Sequence, residues 1–526
     1  MSPTPAARGA SRRDLAARLA LPVVLLAALA LRLHDLGSRS VWTDEGGTWA
    51  AAMSTFGGMV RICLQSDPSP PFYYLLTSLA LKLGDGEAQL RLVPALASVL
   101  LVWVTYRFAR LVAGRGEATL AAALLGISPF QLMFAQEARA YMQVALFTVT
   151  ALFLFARAVL LDRRRAWLPF ITVSALALWS QNIALLGVGV QAVVVLLSPQ
   201  ARRRLLPWLG AQAVACATYL PWFVASLPET GRLAGSHWYL SVPGPHGVLQ
   251  VARAVFLSPV PLVSVAAGAT VPGLATWLPR PFAWALLVAA LAVPLARTVV
   301  RLPAPPPHGP VLRLFVAGLL LPPLAVLAVS PWMPLWLPRF FVLLSPMAMI
   351  LLAHGLVRLR PRALVVVWSA LLFAIYAFGA VRYDRDYTKE DWRGVVRHIA
   401  TVSPPGRTAA LVLFDIDPFA FYARRQAGRM VAFEFSHPDV PVPAHFSPRQ
   451  LDEAEATARR ETAGYDEVWV VLRSLTSESR HQMAERAGRV AIEGRALIED
   501  GMFPSSGGPV YAARYRRVPR AAAAAR

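Results

Sequence analysis

Two adjacent carboxylates, Asp44 and Glu45, stand in SVWTDEGGTW (residues 40–49), flanked by Trp42 and Trp49 and followed by a glycine pair. A positioned carboxylate can take a proton from a hydroxyl, or bind a divalent cation through oxygen. Three further segments carry reactive residue types beside apolar runs. DPSPPFYYLL (67–76) sets Pro70 and Pro71 before Tyr73 and Tyr74; SPFQLMFAQEARAYM (128–142) brings Gln136, Glu137 and Arg139; LPRFFVLLSP (337–346) brings Arg339. Arg91, Arg139 and Arg339 suit an oxyanion, because a guanidinium presents a planar fork of donors. Trp42, Trp49, Tyr73 and Tyr74 fit stacking on a ring or anchoring at a membrane interface. His34 and His237 read first as loop residues. The metal-ligand candidates are Asp44, Glu137 and His237.

The elements that must position these residues are apolar. The chain has 526 residues, 56% hydrophobic and 16% charged, against roughly 25% charged in a soluble domain. Its mean hydropathy is +0.49. Strong apolar runs fall near 18–33, 92–112, 117–134, 140–161, 166–180, 182–198, 205–226, 281–299, 312–330, 339–357 and 363–381. About 20 apolar residues cross a hydrocarbon core of about 30 Å, so the pattern predicts a polytopic helical membrane protein with about eleven crossings. The stretches 71–83 and 248–268 are shorter or interrupted and read as membrane-associated helices that do not cross.

The net charge of +22 sits in short arginine-rich turns at 106–115, 162–165, 201–204 and 358–362. That is the positive-inside pattern, and no nucleic-acid-binding motif accompanies it, so nucleic acid is not an expected partner. With residues 1–17 in the cytoplasm, eleven crossings put every arginine-rich turn on that side. Residues 34–90, the turn at 135–139, 181–182, 227–280, 331–338 and everything after 382 then face outward. Only eleven acidic residues occur in residues 1–380, and eight of them fall in outward segments. The two cysteines, Cys63 and Cys216, are far apart in sequence and predict no structural disulfide.

From 383 the composition changes: 19 of the 30 acidic residues lie there. TAALVLFDI (408–416) and DEVWVVL (466–472) read as buried strands, while 447–463 and 477–490 read as helices. The organisation expected is a transmembrane domain over 18–382, a small extracytoplasmic α/β domain over 383–516, and a disordered tail at 517–526. The Pro-rich tracts 303–310 and 438–448 read as linkers.

The ordered series W-x-D-E after the first run, PP-F-Y-Y-L-L, E-A-Q-L-R-L-V-P-A-L, S-P-F-x-x-x-x-x-Q-E-A-R-A-Y and P-R-F-F-x-x-x-x-P resembles the polytopic C-type glycosyltransferases. Within them it is most similar to the bacterial protein O-mannosyltransferase and lipid A aminoarabinose transferase group. YTKEDWRGVVRHI (387–399) also looks like a recurring element of bacterial members. The resemblance covers most of residues 30–400. It implies the C-type glycosyltransferase fold and transfer of a sugar, mannose-like or pentose, from a polyprenyl-phosphate donor to an acceptor hydroxyl on a glycan, lipid or protein at the outer face. By the same resemblance Asp44 is the base or acceptor-activating group with Glu45 beside it, Glu137 is the second acidic position, and Arg339 is the partner of the lipid phosphate. Trp42, Pro70, Pro71, Tyr73, Tyr74 and Gln136 would line the substrate groove, and a divalent metal is the cofactor to expect. The chain departs from many relatives at Ser69, where they have His before the proline pair; this bears on metal dependence.

The chemistry agrees with that expectation. Sugar transfer from a phosphate needs a base at the acceptor hydroxyl and cationic help for the leaving phosphate. No Gly-rich nucleotide fingerprint is present, which fits a lipid donor. The competing class, a transporter or lipid flippase of envelope precursors, places ionisable groups at the bilayer midplane and often repeats its halves. These runs are almost free of carboxylates and no repeat is visible.

Overall fold

In hydrocarbon every backbone N–H and C=O must be paired within the chain, so the apolar runs fold as helices. The computed structural model describes residues 5–65, 69–235, 242–258, 279–299, 308–332, 336–426, 428–435, 447–473, 478–506 and 508–518. Asp67, His237, the second half of 248–268, most of both Pro-rich tracts and the tail from 519 lie outside them. The chain divides into two compact units. One comprises Met1–Leu36, Asp67–Leu83 and Arg91–Tyr387; the other comprises Gly37–Ser66, Gly84–Leu90 and Thr388–Arg526.

Among the described residues of the first unit, six helices are long and apolar enough to cross a membrane: Leu92–Ala109, Tyr141–Leu160, Pro281–Val299, His308–Val329, Pro338–Leu356 and Arg362–Asp386. A seventh candidate is broken. The run expected at 117–134 folds as Arg115–Ile127 and Pro129–Ala135, bent by 57°, because Pro129 has no N–H to continue the helix across Ser128. The other expected crossings fall short of that test for visible reasons. Trp167–Ser180 has 14 residues and Leu185–Leu197 has 13, about 20 Å each at 1.5 Å per residue. Leu205–Gly235 is 31 residues long but carries Pro221, Pro228 and several polar side chains. The segment expected to stay short does so: Phe72–Leu81 has ten residues. Neither Cys63 nor Cys216 is in a disulfide.

Two contacts fix the packing of this unit. The Arg32 guanidinium, fully buried, donates from Nε to Ser98 Oγ (2.8 Å) and from Nη1 to the Gly126 carbonyl (2.7 Å). It thereby ties the first helix to its two neighbours. Gly355 lies where Ser345–Leu356 meets Arg280–Val299, and a Cβ there would stand 1.8 Å from the Pro294 carbonyl oxygen.

In the second unit a five-stranded sheet is built from β1 (Thr408–Leu413), β2 (Met430–Phe435), β3 (Glu467–Arg473), β4 (Arg495–Phe503) and β5 (Val510–Arg517). The order is β2-β1-β3-β5-β4. β1 runs parallel to both β2 and β3, while β5 is antiparallel to β3 and β4. TAALVL makes an interior strand because a strand covered on both faces needs a run of small and apolar residues; all six are buried. The chain leaves β1 toward β2 and returns on the other side as β3. The carboxyl ends of β1 and β3 therefore diverge, the place where open α/β sheets form their crevice.

Gly355→Ala is expected to destabilise the helical unit by about 3 kcal/mol, since the obstructing atom is backbone and cannot move aside. Thermal unfolding of the detergent-purified protein reads this; an unchanged midpoint would contradict the close crossing.

Candidate active site

The crevice of the second unit is filled by the first-loop segment. Arg473, the last residue of β3, donates from Nη1 to Glu390 Oε1 at 2.7 Å and lies 3.5 Å from Asp415, which follows β1. Glu390 Oε2 accepts from the Thr43 backbone N–H (3.1 Å), the Thr43 hydroxyl (2.9 Å) and Trp392 Nε1 (2.8 Å). The side chain that caps the start of helix Thr43–Met53 thus comes from almost 350 residues away. An anionic carboxylate at a helix start also complements the helix dipole. Glu45, fully buried, forms an ion pair with Lys389 at 2.7 Å. Asp44 is half-buried. Burial pulls the Arg473 guanidinium down, but Asp415, Glu390 and Asp44 outweigh it and hold it above its ordinary value.

The acid pair of the sequence is therefore two residues with separate circumstances. Glu45 is sealed and neutralised by an ammonium, while Asp44 keeps solvent access beside a guanidinium. Gly46 and Gly47 allow the approach. A Cβ on Gly46 would fall 2.5 Å from Pro418, at the start of helix Ile416–Ala423. Trp49 packs edge-on against Phe421 at 5.6 Å, and the Arg424 guanidinium covers both rings. The indole N–H groups of Trp42 and Trp49 are buried with no acceptor among the described residues.

Arg393 fixes the start of the loop. Its guanidinium donates to the carbonyls of Gly37, Ser38 and Arg39 and pairs with Glu87 at 2.7 Å. Burial pushes the Glu87 carboxyl up, but its backbone hydrogen bond and Arg393 outweigh this and hold it below the usual range. The Tyr422 hydroxyl accepts from the Val41 N–H at 2.7 Å. The KEDWR segment after the last apolar run is thus a clamp on the WTDE loop. Sequence reasoning noticed both motifs and did not join them. The available signal was the unusual run of Lys389, Glu390 and Arg393 directly after a span. Nothing in the sequence pointed to Asp415 or Arg473.

In the first unit, Gln136 Nε2 donates to the carbonyls of Arg32 (3.3 Å) and His34 (2.8 Å), and Gln136 Oε1 accepts from the Tyr383 hydroxyl. Glu137 is buried, and its carbonyl accepts from the Arg139 N–H in a tight turn. The guanidinium groups of Arg139 and Arg339, from segments 200 residues apart, each lie 5.9 Å from the ring centre of Tyr141. Both are half-buried. Arg91 is buried and donates to the Leu36 carbonyl at 3.0 Å. Pro70, Pro71, Tyr73 and Tyr74 are buried as well, with the two tyrosine rings edge-on at 5.6 Å. Arg91, expected at the donor phosphate, and Pro70, Pro71, Tyr73 and Tyr74, expected along the groove, are thus all buried, while Gln136 holds backbone.

Asp44 belongs to one unit and Glu137 to the other, and His237 lies outside the described residues. Carboxylate oxygens are the donors a hard divalent cation takes, so Asp44 and Glu137 have the chemistry for one. Among the described residues one grouping has ligand spacing, and it includes neither of these: His34, Asp35 and Asp384, all exposed.

Residues 68–224 match the protein family described as dolichyl-phosphate-mannose-protein mannosyltransferase. No curated protein matches the chain by sequence. Among solved structures, apo ArnT from Cupriavidus metallidurans is 14% identical, with 93% of this chain and 97% of that chain covered and a TM-score of 0.62. The same protein bound to undecaprenyl phosphate gives 15%, 93%, 97% and 0.58. The archaeal oligosaccharyltransferase AglB from Archaeoglobus fulgidus, in complex with an inhibitory peptide and a dolichol-phosphate, is 14% identical, covering 95% of this chain and 74% of that one, with a TM-score of 0.52. Identity at this level speaks for the fold. The resemblance to the C-type glycosyltransferases read from the motifs therefore stands on the family match and on a fold shared along nearly the whole chain.

Asp417, in the first turn of the helix after β1, gives a pH prediction. Burial raises its carboxyl to about 6, helped by Glu434 and Asp415. Unfolded, it titrates near 3.9. Folding therefore takes up a proton between these values, and this group's contribution to stability falls as pH rises from about 4 to 6. Asp417→Asn should stabilise the protein by about 2 kcal/mol at pH 7.5 and by nothing measurable at pH 4. Thermal unfolding at both pH values checks the difference.

Proposed function

We propose that this protein is an integral membrane glycosyltransferase that moves a sugar, mannose-like or pentose, from a polyprenyl-phosphate donor to an acceptor hydroxyl at the outer face of the cell membrane. The reading includes eleven crossings, with residues 34–90 and the chain after 382 outside. The observation that carries it is the separation of roles in the acid pair: Lys389 neutralises Glu45, and Asp44 is half-buried near the Arg473 guanidinium. The family match and the fold shared with a protein solved with undecaprenyl phosphate support the donor class.

In this mechanism Asp44 takes the proton of the acceptor hydroxyl as its oxygen attacks the anomeric carbon. The bond from that carbon to the phosphate oxygen breaks, and polyprenyl phosphate leaves with the electron pair. Arg139 and Arg339, held around Tyr141, receive the growing negative charge, a role in which a preorganised cation is worth most. Trp42 offers an indole N–H with no acceptor among the described residues, which suits a sugar hydroxyl. A divalent cation, for which Asp44 and Glu137 each offer carboxylate oxygens, would supply further charge stabilisation of the phosphate. Glu45, Arg91 and Gln136 act by positioning. The α/β domain's share, through Lys389, Glu390, Arg393 and Arg473, is to hold the Asp44 loop.

Asp44→Asn should lower transfer by about 10²–10⁴-fold, the range for losing a positioned base, with the folded yield unchanged. Arg339→Ala should chiefly raise KM for the donor. Both are read with a radiolabelled polyprenyl-phosphate sugar in membranes. Full transfer by Asp44→Asn would overturn its assignment as the base.

A further inference from the structure

One feature of the helical unit has no part in that chemistry. Leu92–Ala109 and Tyr141–Leu160 both pass as membrane spans. Where they finish, a cavity of about 700 Å³ is lined by Arg107, Arg110, Arg157, Arg163, Arg164 and Arg165. Phe153 and Leu161 supply an apolar wall, and Arg157 lies over the Phe153 ring at 5.6 Å. Asp162 is the carboxylate of the lining, and its oxygen pairs with Arg204.

The backbone gathers these arginines. Helix Tyr141–Phe155 widens into a π-turn at Ala156–Leu160, a feature often found at functional sites. The Arg163 N–H then returns to the Arg157 carbonyl at 2.8 Å, and Arg164–Ala166 follows as a 3₁₀ turn. The reversal sets Arg157 and the 163–165 run around the same hollow as Arg107 and Arg110. Helix C-termini attract a cation or two, and the positive-inside pattern accounts for arginine in loops. Neither accounts for six arginines lining one concave space, where their like charge favours a bound polyanion. The volume suits a ligand of small-molecule size. Basic pockets between helices at this membrane level take phospholipid headgroups.

We propose that this cavity binds a ligand presenting two phosphate groups, held by forked arginine contacts, and that an anionic phospholipid with a two-phosphate headgroup supplies it from the adjoining leaflet. The site is separate from the transfer chemistry, and its test does not depend on activity.

The test is a binding titration of the detergent-purified full-length protein with cardiolipin, phosphatidylcholine and inorganic pyrophosphate. Cardiolipin should bind at least tenfold more tightly than phosphatidylcholine. That preference should weaken about tenfold in Arg157→Gln/Arg164→Gln and stay unchanged in Arg203→Gln, whose arginine lies outside the cavity. If the double variant does not fold, Arg164→Gln alone, on an exposed turn, should cost about threefold. Pyrophosphate binding that shows the same variant sensitivity, without a preference for cardiolipin, would keep the diphosphate chemistry and overturn the lipid as its source. Equal binding of the two lipids with no pyrophosphate binding, or variants that bind like the native protein, would overturn the proposal.

Discussion

The position of the first-loop acid motif depends on one buried ion pair. Glu45 and Lys389 meet at 2.7 Å with almost no solvent access to either side chain. Removing two charges from water costs several kcal/mol per ion, and only close geometry with further hydrogen bonds offsets it. A second set of bonds runs through the next residue: Glu390 accepts from Thr43 and Trp392, and Arg473 joins Glu390 to Asp415. The final conformation of residues 37–53 is therefore conditional on a segment that follows the last span and on the ends of β1 and β3. A topological crevice that serves ligands in many α/β proteins here receives a piece of the protein's own chain.

This arrangement explains why a chain that avoids acid in its first 380 residues places two carboxylates together. One neutralises a buried lysine and positions the loop. The other is half-buried, near a guanidinium held above its ordinary pKa. Gly46 is needed because Pro418 lies where its Cβ would stand. The small sheet domain is thus part of what makes the first-loop site, and its order of strands sets where that loop can sit.

Much of this was legible in the sequence, and the limits have physical causes. The helical class followed from apolar runs near 20 residues, and β1 and β3 from buried apolar strings at 408–416 and 466–472. The other three strands are partly exposed, and their mixed composition gives no such signal. The crossing count was less secure, because apolarity reports length in sequence and not where a helix breaks. Ser128–Pro129 splits one run, and 166–180 and 182–198 make helices too short for the span test. The residue types of the site were visible, but their partners were not. Asp44 and Arg473, or Glu45 and Lys389, are more than 340 residues apart, and no periodicity relates them. Burial was equally invisible: nothing in the sequence shows that Tyr73, Tyr74 and Arg91 are buried.

The central claim, that Glu45 and Lys389 act as a pair to hold the loop, is tested most directly by a double-mutant cycle on stability. Lys389→Met alone leaves a buried carboxylate unpaired and should cost about 3–5 kcal/mol, as should Glu45→Met for the stranded ammonium. Combined, the two should cost far less than their sum, leaving a coupling of about 3 kcal/mol or more. Additive effects, with coupling below about 0.5 kcal/mol, would contradict the account.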